Sequence, residues 1–172
     1  IKKISDALEP EYPNLEFWTL GYYCTSIAPQ GMEFPDNLYL CYCYYPGCNN
    51  HSVDGSECDD NSGGTHNKWN DDNIKAWADV ADNIHVWYYI SQFSFAAAGD
   101  PIMKQVYNDL KYFRDIGVKG IFAQNSNDSL GWDDLIAYLT SEMMWNPDMT
   151  WEEYEAIAKE FCSFKYGPGG DK

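Results

Sequence analysis

Residues 37–45 read NLYLCYCYY, and this short run decides the fold. In a strand, alternate residues point to opposite faces of the sheet. One face then carries Leu38, Leu40, Tyr42 and Tyr44, and the other carries Tyr39, Cys41, Cys43 and Tyr45. Both faces are apolar, which is typical of a strand in a sheet covered on both sides, as parallel sheets are. The run therefore predicts a parallel sheet with helices packed against it.

The rest of the chain alternates strand-like and helix-like segments. We predict further strands at 15–24, 83–90 and 118–123, and helices at 71–80, at 100–117, from 131 onward and from 150 onward. Asp100-Pro101 and Gly117 are start and end signals of the second of these helices, and Thr150 with Glu153 forms a capping box. The order of elements favours an α/β fold with a parallel sheet. Only about a dozen residues, with no clear helix, join the first two strands, so an antiparallel pair is the alternative there.

The length indicates one domain that is smaller than a complete barrel. The chain has 172 residues and no starting methionine. That length suffices for one packed core, but a full (β/α) barrel takes about 250 residues. We therefore expect a piece of a longer protein, with residues 1–172 as a single domain, a polar tail at 167–172, and the missing amino-terminal part as a partner.

The charge of the chain excludes two classes of partner. There are 27 acidic and 11 basic residues, which give a formal net charge of −16. Such a chain repels the phosphates of nucleic acids and anionic lipid surfaces. No apolar run approaches the roughly 20 residues that a membrane helix needs. We therefore predict neither nucleic-acid binding nor membrane insertion.

The six cysteines allow several interpretations. Cys48 and Cys58 bracket a polar loop and would pair in an oxidising compartment, or remain as thiols. With Cys43, His51 and His66 they form a set of zinc-type ligands, but the spacing is irregular for a zinc site. The acidic part of the same loop lacks the ordered spacing of a calcium loop. We therefore predict no metal and no other cofactor.

Ligand sites in parallel sheets form at the carboxyl ends of the strands. The candidate substrate-binding residues at these ends are Tyr22, Tyr44, His51, Trp87, Tyr88, Gln124 and Asn125. These side chains are aromatic or form hydrogen bonds without carrying a carboxylate, which suits stacking on sugar rings and binding of hydroxyls. Glycoside hydrolysis needs a pair of carboxylates, and none accompanies them, so no catalytic residue is assigned. The aromatic content of 17% fits either a ring-rich core or a secreted carbohydrate-active domain.

Four strings carry a resemblance to a known family. They are TLGYYCT at 19–25, NLYLCYCYYPGCNNH at 37–51, NIHVWYYISQFSFAAAGDPIMKQVYNDLKYFRDIGVKGIFAQ at 83–124, and YLTSEMMWNPDMTWEEYEAIAKEFCSFKYG at 138–167. In this order they resemble a bacterial family known as domain of unknown function 4838. Its members look like the carboxyl half of a glycoside-hydrolase-type TIM barrel, similar to hexosaminidases and α-glucuronidases. The resemblance implies a partial barrel of about four parallel strands with outer helices, and an extracellular, cell-surface or periplasmic location.

Two departures from the family pattern bear on catalysis. Where the family tends to have V-W-D-Y, this chain has Tyr88 in place of the carboxylate, and where it tends to have G-V-F-E, this chain has Ala123. His51 and Trp87 retain the match. The resemblance therefore implies sugar binding rather than complete catalysis, with the general acid of related hydrolases upstream of residue 1.

Three functions remain open at this stage. The chain is a glycoside-hydrolase-like domain that acts on or binds a carbohydrate, a non-catalytic carbohydrate-binding module, or a structural half-domain without a site. Hydrolysis of aryl glycosides separates the first from the second, and loss of sugar binding in Trp87→Ala separates both from the third. A half-barrel also exposes two sheet edges, which predicts a homodimer through edge pairing.

Overall fold

The computed structural model describes residues 1–32, 34–56, 66–91, 102–125 and 132–170. Its helices in these ranges are α1 (Lys2–Leu8), α2 (Asn67–Ala78), α3 (Met103–Asp115), α4 (Trp132–Trp145) and α5 (Trp151–Tyr166). Its strands are β1 (Phe17–Gly21), β2 (Leu38–Cys43), β3 (Asn83–Tyr89) and β4 (Gly120–Gln124). The predicted α/β class is confirmed.

The four strands form one sheet in the order β1-β2-β3-β4, and every neighbouring pair is parallel. The antiparallel alternative for the first pair is therefore wrong. The connection between β1 and β2 contains one 3₁₀ turn at Tyr23–Thr25. It packs on α2, where Trp77 donates its indole N–H to the Ser26 carbonyl at 2.8 Å and meets the ring of Phe34 at 5.1 Å. Among the described residues β1 and β4 do not pair, so the sheet is open and has two edges.

Helices cover one face of the sheet and build the core there. The strand residues on this face are Leu38, Leu40, Tyr42, Ile84, Val86 and Tyr88, all at most 5% exposed. They pack against apolar stripes of the helices, such as Ile74 of α2, Val106, Leu110 and Phe113 of α3, and Leu139 of α4. Each large apolar side chain buried in this way contributes roughly 1.5–3 kcal/mol. This layer accounts for the stability of the helix-covered side.

The opposite face, which we call the open face, is also apolar. It comprises Trp18, Leu20, Tyr39, Cys41, Cys43, His85, Trp87, Tyr89, Phe122 and Gln124, which the strand register places side by side. Trp18, Leu20 and Phe122 remain 51%, 47% and 55% exposed. The expectation that both faces are covered is therefore wrong for the described part of the chain. The apolar pattern shows that a face suits burial, but it does not say which chain buries it.

The ends of the helices follow the predicted signals in part. Thr150 and Glu153 form the capping box at α5, with the Glu153 N–H donating to Thr150 Oγ1 at 3.2 Å. Gly117 follows α3 with a φ of +85°, which glycine adopts at little cost. Asp100-Pro101 lies outside the described residues. Helix α2 begins at Asn67, four residues before the predicted start at Asp71.

The predicted polar tail starts with a 3₁₀ turn at Gly167–Gly169. Within the described ranges, none of the helices has the length and apolar character required to cross a bilayer.

Candidate functional site

A row of aromatic rings runs along the carboxyl end of the sheet. Trp87 and Tyr89 of β3 stack with ring centroids 6.4 Å apart, and Tyr89 lies 5.3 Å from Tyr45, which follows β2. Tyr45 in turn lies 6.2 Å from Tyr22 and 6.3 Å from Tyr23, which follow β1. We call these five residues the aromatic row. Because the three strands are parallel, their carboxyl ends bring rings from three separate segments together.

Trp87 is fixed in this row by two neighbours on β4. Its indole N–H donates to Gln124 Oε1 at 2.8 Å. The ring of Phe122 meets it edge-on at 4.7 Å. The pair of Trp87 and Gln124 therefore presents an indole next to a primary amide, two groups that sequence analysis selected and that the structure brings together.

The turn after β1 positions Tyr22 and Tyr23. Thr25 Oγ1 accepts from the Tyr22 N–H at 3.0 Å and donates to the Leu20 carbonyl at 2.8 Å. Tyr23 has a φ of +48°, a left-handed conformation that is unfavourable for a bulky side chain. Strain of this kind costs roughly 1–3 kcal/mol and clusters at functional sites. The ring of Tyr23 is 64% exposed, so burial of the ring does not explain the strain.

A cleft of about 630 Å³ opens at the Tyr23 and Tyr45 end of the row. The residues that line this cleft are Tyr23, Cys24, Ser26, Tyr45, Pro46, His66 and Trp69. Trp69 belongs to the first turns of α2, and its ring lies 6.4 Å from that of His66. Sequence analysis named His66 only as a zinc-type ligand and assigned none of the cleft residues to substrate binding, because the contribution of α2 depends on packing rather than on a strand end.

His51 lies in the loop that follows β2 and contacts a thiol. Its Nδ1 is 3.2 Å from Cys48 Sγ. This loop is held by Asn67, which is fully buried and donates to the carbonyls of Cys48 and Ser52 at 3.1 and 2.9 Å while accepting from the Cys48 N–H at 2.7 Å. The hydrogen-bond partners of His51 given by the described chain are therefore Cys48 of its own loop and Asn67 of α2, and neither belongs to the aromatic row.

Tyr44 and Tyr88 lie on the helix-covered face, each 4% exposed. The Tyr44 hydroxyl donates to the Asn67 carbonyl at 2.9 Å, and the Tyr88 hydroxyl donates to Asp109 Oδ2 at 2.6 Å. Burial, together with nearby carboxylates, raises the pKa of both phenols well above its usual range. Their hydroxyls face the core, so we replace the sequence-based assignment of these two tyrosines to a binding surface with a structural role.

Asp109 is a buried carboxyl group that sequence analysis did not select. It is 1% exposed, and it accepts hydrogen bonds from the Val53 N–H at 3.1 Å and Gln105 Nε2 at 2.7 Å as well as from Tyr88. Burial raises its pKa to about 7, although these three hydrogen bonds oppose the shift. The spacing of Val106, Asp109 and Phe113 on α3 already places this carboxyl on the apolar face, which is the signal that could have identified it.

The remaining predicted positions lie elsewhere. Asn125 follows β4, and its amide donates to the Asp133 carbonyl at 3.4 Å. In the acidic loop that was considered for calcium, Asp54 accepts from the N–H and hydroxyl of Ser56 within its own turn. Cys58, which the disulfide and zinc interpretations require, lies outside the described residues. Among the residues that the structure covers, no group of three metal-type ligands is close enough to hold an ion.

Comparison with known proteins complements this geometry. No curated protein and no solved structure matches the chain. The model of one family, described as a domain of unknown function (DUF4838), matches residues 1–171. That match spans nearly the whole sequence, and the chain therefore belongs to the DUF4838 family.

Proposed function

We propose that this chain is a carbohydrate-binding domain of the glycoside-hydrolase-like kind, whose aromatic row contacts sugar rings. The observation that carries the proposal is the pair of Trp87 and Gln124 at one end of the row. A sugar ring has an apolar C–H face and a rim of hydroxyls. The apolar C–H face packs against an indole, and the hydroxyls form hydrogen bonds with a primary amide.

The architecture supports a place for this domain in a larger barrel. In a (β/α) barrel the helices lie outside, and the sheet face opposite them points to the interior. The open face is opposite the helices and is rich in large apolar side chains. We propose that it lines the interior of a barrel of which this chain is the carboxyl half, completed by an amino-terminal part, in an extracellular, cell-surface or periplasmic protein of a bacterium.

The proposed role is binding, with hydrolysis left to the assembled barrel. The aromatic row contains only Trp and Tyr side chains, and hydrolysis takes two carboxylates that flank the scissile bond. Where the G-V-F-E pattern of the family has a carboxylate, this chain has the uncharged residue Ala123. We therefore propose that groups of the other half contribute to the acid–base pair.

A glycan-array screen followed by calorimetry tests this proposal. Trp87→Ala is expected to raise Kd at least about tenfold, since truncating a Trp that anchors a binding surface commonly costs about 2 kcal/mol or more. Trp145→Ala is the matched control, because Trp145 is 91% exposed at the end of α4 and should leave Kd unchanged. Equal affinities for wild type and Trp87→Ala, with circular dichroism unchanged, would contradict the proposal.

A structural half-domain is the second candidate function, and the open face favours it. Exposed apolar patches of this kind mark surfaces that another chain or ligand covers. If the chain binds no glycan but associates with the amino-terminal part of its own protein, this second function replaces the first.

A further inference from the structure

The cleft has the size and the lining of a small-molecule site. Its volume of about 630 Å³ falls within the range of roughly 300–1,000 Å³ that such sites occupy. Tyr23, Tyr45 and Trp69 supply aromatic walls, and Pro46 adds an apolar surface. A few polar groups, among them Ser26 and His66, interrupt this lining.

Ser26 places a polar group in the lining of the cleft. The residue is 1% exposed, and its hydroxyl lies next to that of Tyr42. The Tyr42 hydroxyl donates to Asn70 Oδ1 at 3.0 Å, so its oxygen can accept from Ser26. A serine hydroxyl also has two acceptor positions, so Ser26 Oγ can accept a hydrogen bond from a ligand hydroxyl that reaches the floor of the cleft.

Tyr23 supplies a second, independent observation. Its left-handed φ of +48° holds a largely exposed ring at the mouth of the cleft. Backbone strain of this kind is often found at ligand sites. The ring also continues the aromatic row, since it lies 6.3 Å from Tyr45.

We infer that the cleft is a second sugar subsite, which takes an uncharged pyranose ring of an oligosaccharide whose other rings lie on the aromatic row toward Trp87. The choice of a saccharide rests on the proposed function, whereas the existence of a site rests on the cleft itself. Tyr45 joins the two regions, because it lines the cleft and lies 5.3 Å from Tyr89 of the row.

The charge of the molecule decides between neutral and acidic sugars. Among the described residues that line the cleft, no Lys or Arg is available to pair with a sugar carboxylate. The formal net charge of −16 adds repulsion against anionic ligands. Neutral sugars, with hydroxyls for Ser26 and C–H faces for the rings, fit this environment.

Nuclear magnetic resonance separates the cleft from the open face. The protein has 7 Trp residues, and their indole N–H signals can be assigned with Trp→Phe variants. The probes are β-1,4-linked glucose and β-1,4-linked N-acetylglucosamine oligomers of one to six units. We expect saturable shifts of both the Trp69 and the Trp87 signals, with affinity that increases from the monosaccharide to the tetrasaccharide.

Single substitutions then test the contacts of the cleft by calorimetry. Trp69→Ala and Ser26→Ala are each expected to raise Kd about tenfold, the size of one lost hydrogen bond or ring contact. Ser26→Ala removes a single hydroxyl without changing the rest of the side chain, and circular dichroism checks that the variant stays folded. Trp145→Ala is again the control and should not change Kd.

The outcomes distinguish the two proposals. Shifts at Trp87 alone, with Kd unchanged in Trp69→Ala and Ser26→Ala, would overturn the cleft and leave the proposed function standing. Shifts at Trp69 alone would keep the cleft and overturn the site on the open face. If neither signal moves with any oligomer, both proposals fail.

Discussion

Asp109 shows how one residue can link a loop to the core and make the fold sensitive to pH. It accepts from the Val53 N–H of the loop after β2 and from the Tyr88 hydroxyl of β3, so it joins two elements through one side chain. Its pKa of about 7 in the folded protein lies above the ordinary value of 3.8. The folded state therefore holds the proton more tightly than the unfolded state does.

The first prediction follows from the sign of this shift. The stabilising contribution of the proton is complete below about pH 4 and is lost as pH rises through about 7. In urea unfolding at a series of pH values, wild type should lose about 2–3 kcal/mol relative to Asp109→Asn between about pH 5 and 8. All other titrating groups are common to both proteins and cancel in the difference. Parallel pH profiles would show that Asp109 stays ionised throughout.

A second prediction at this scale concerns the strain at Tyr23. Tyr23→Gly should stabilise the fold by about 1 kcal/mol, because glycine adopts a φ of +48° without a steric cost. The same change should weaken oligosaccharide binding by removing a ring of the cleft. Tyr12→Gly is the control: Tyr12 is 54% exposed and has a negative φ, so glycine there should lower the melting temperature. Thermal unfolding that shows a lower melting temperature for Tyr23→Gly would contradict this account.

At the scale of the element, strand positions followed from the sequence, but the assignment of faces did not. The run at 37–45 predicted a strand with two apolar faces, and β2 has them. When both faces are apolar, alternation separates Tyr88 from Trp87 without saying which of them is covered. Trp87 and Gln124 were predicted and lie together because both stand at carboxyl ends of adjacent strands. Ser26 and Asn67 depend on contacts between distant segments, which no local pattern encodes.

The loop after β2 owes its shape to the first residue of helix α2, and this gives a third prediction. Asn67→Ala removes the amide that binds Cys48 and Ser52, so partly buried backbone groups lose these hydrogen bonds. We expect a loss of roughly 2–3 kcal/mol in urea unfolding and faster amide exchange at Cys48. Asn73→Ala on the same helix is the control, because its amide donates to the Trp69 carbonyl at an exposed position. A change below about 0.5 kcal/mol for Asn67→Ala would show that the loop is held by other contacts.

At the scale of the whole molecule, the fold has one covered face, one open face and two free edges in its described part. An isolated sheet of this kind tends to associate, because unpaired edges and apolar surface both favour contact with another chain. The net charge of −16 opposes self-association. Which effect is larger depends on how much apolar surface a second copy would cover.

We predict that attraction through the open face and the sheet edges exceeds the charge repulsion. The purified chain should then form a concentration-dependent homodimer in sedimentation experiments. The double variant Trp18→Lys and Phe122→Lys should be monomeric, because it places charge on the open face at its two edge strands, β1 and β4. Both substitutions reduce the net negative charge, so a loss of association cannot come from added repulsion between acidic chains. Trp145→Lys with Phe164→Lys changes the charge equally at side chains that are 91% and 93% exposed on the helical side, and should remain dimeric. A wild-type chain that stays monomeric at high concentration, or a control that dissociates as readily as the test variant, would show that the open face does not hold two copies together.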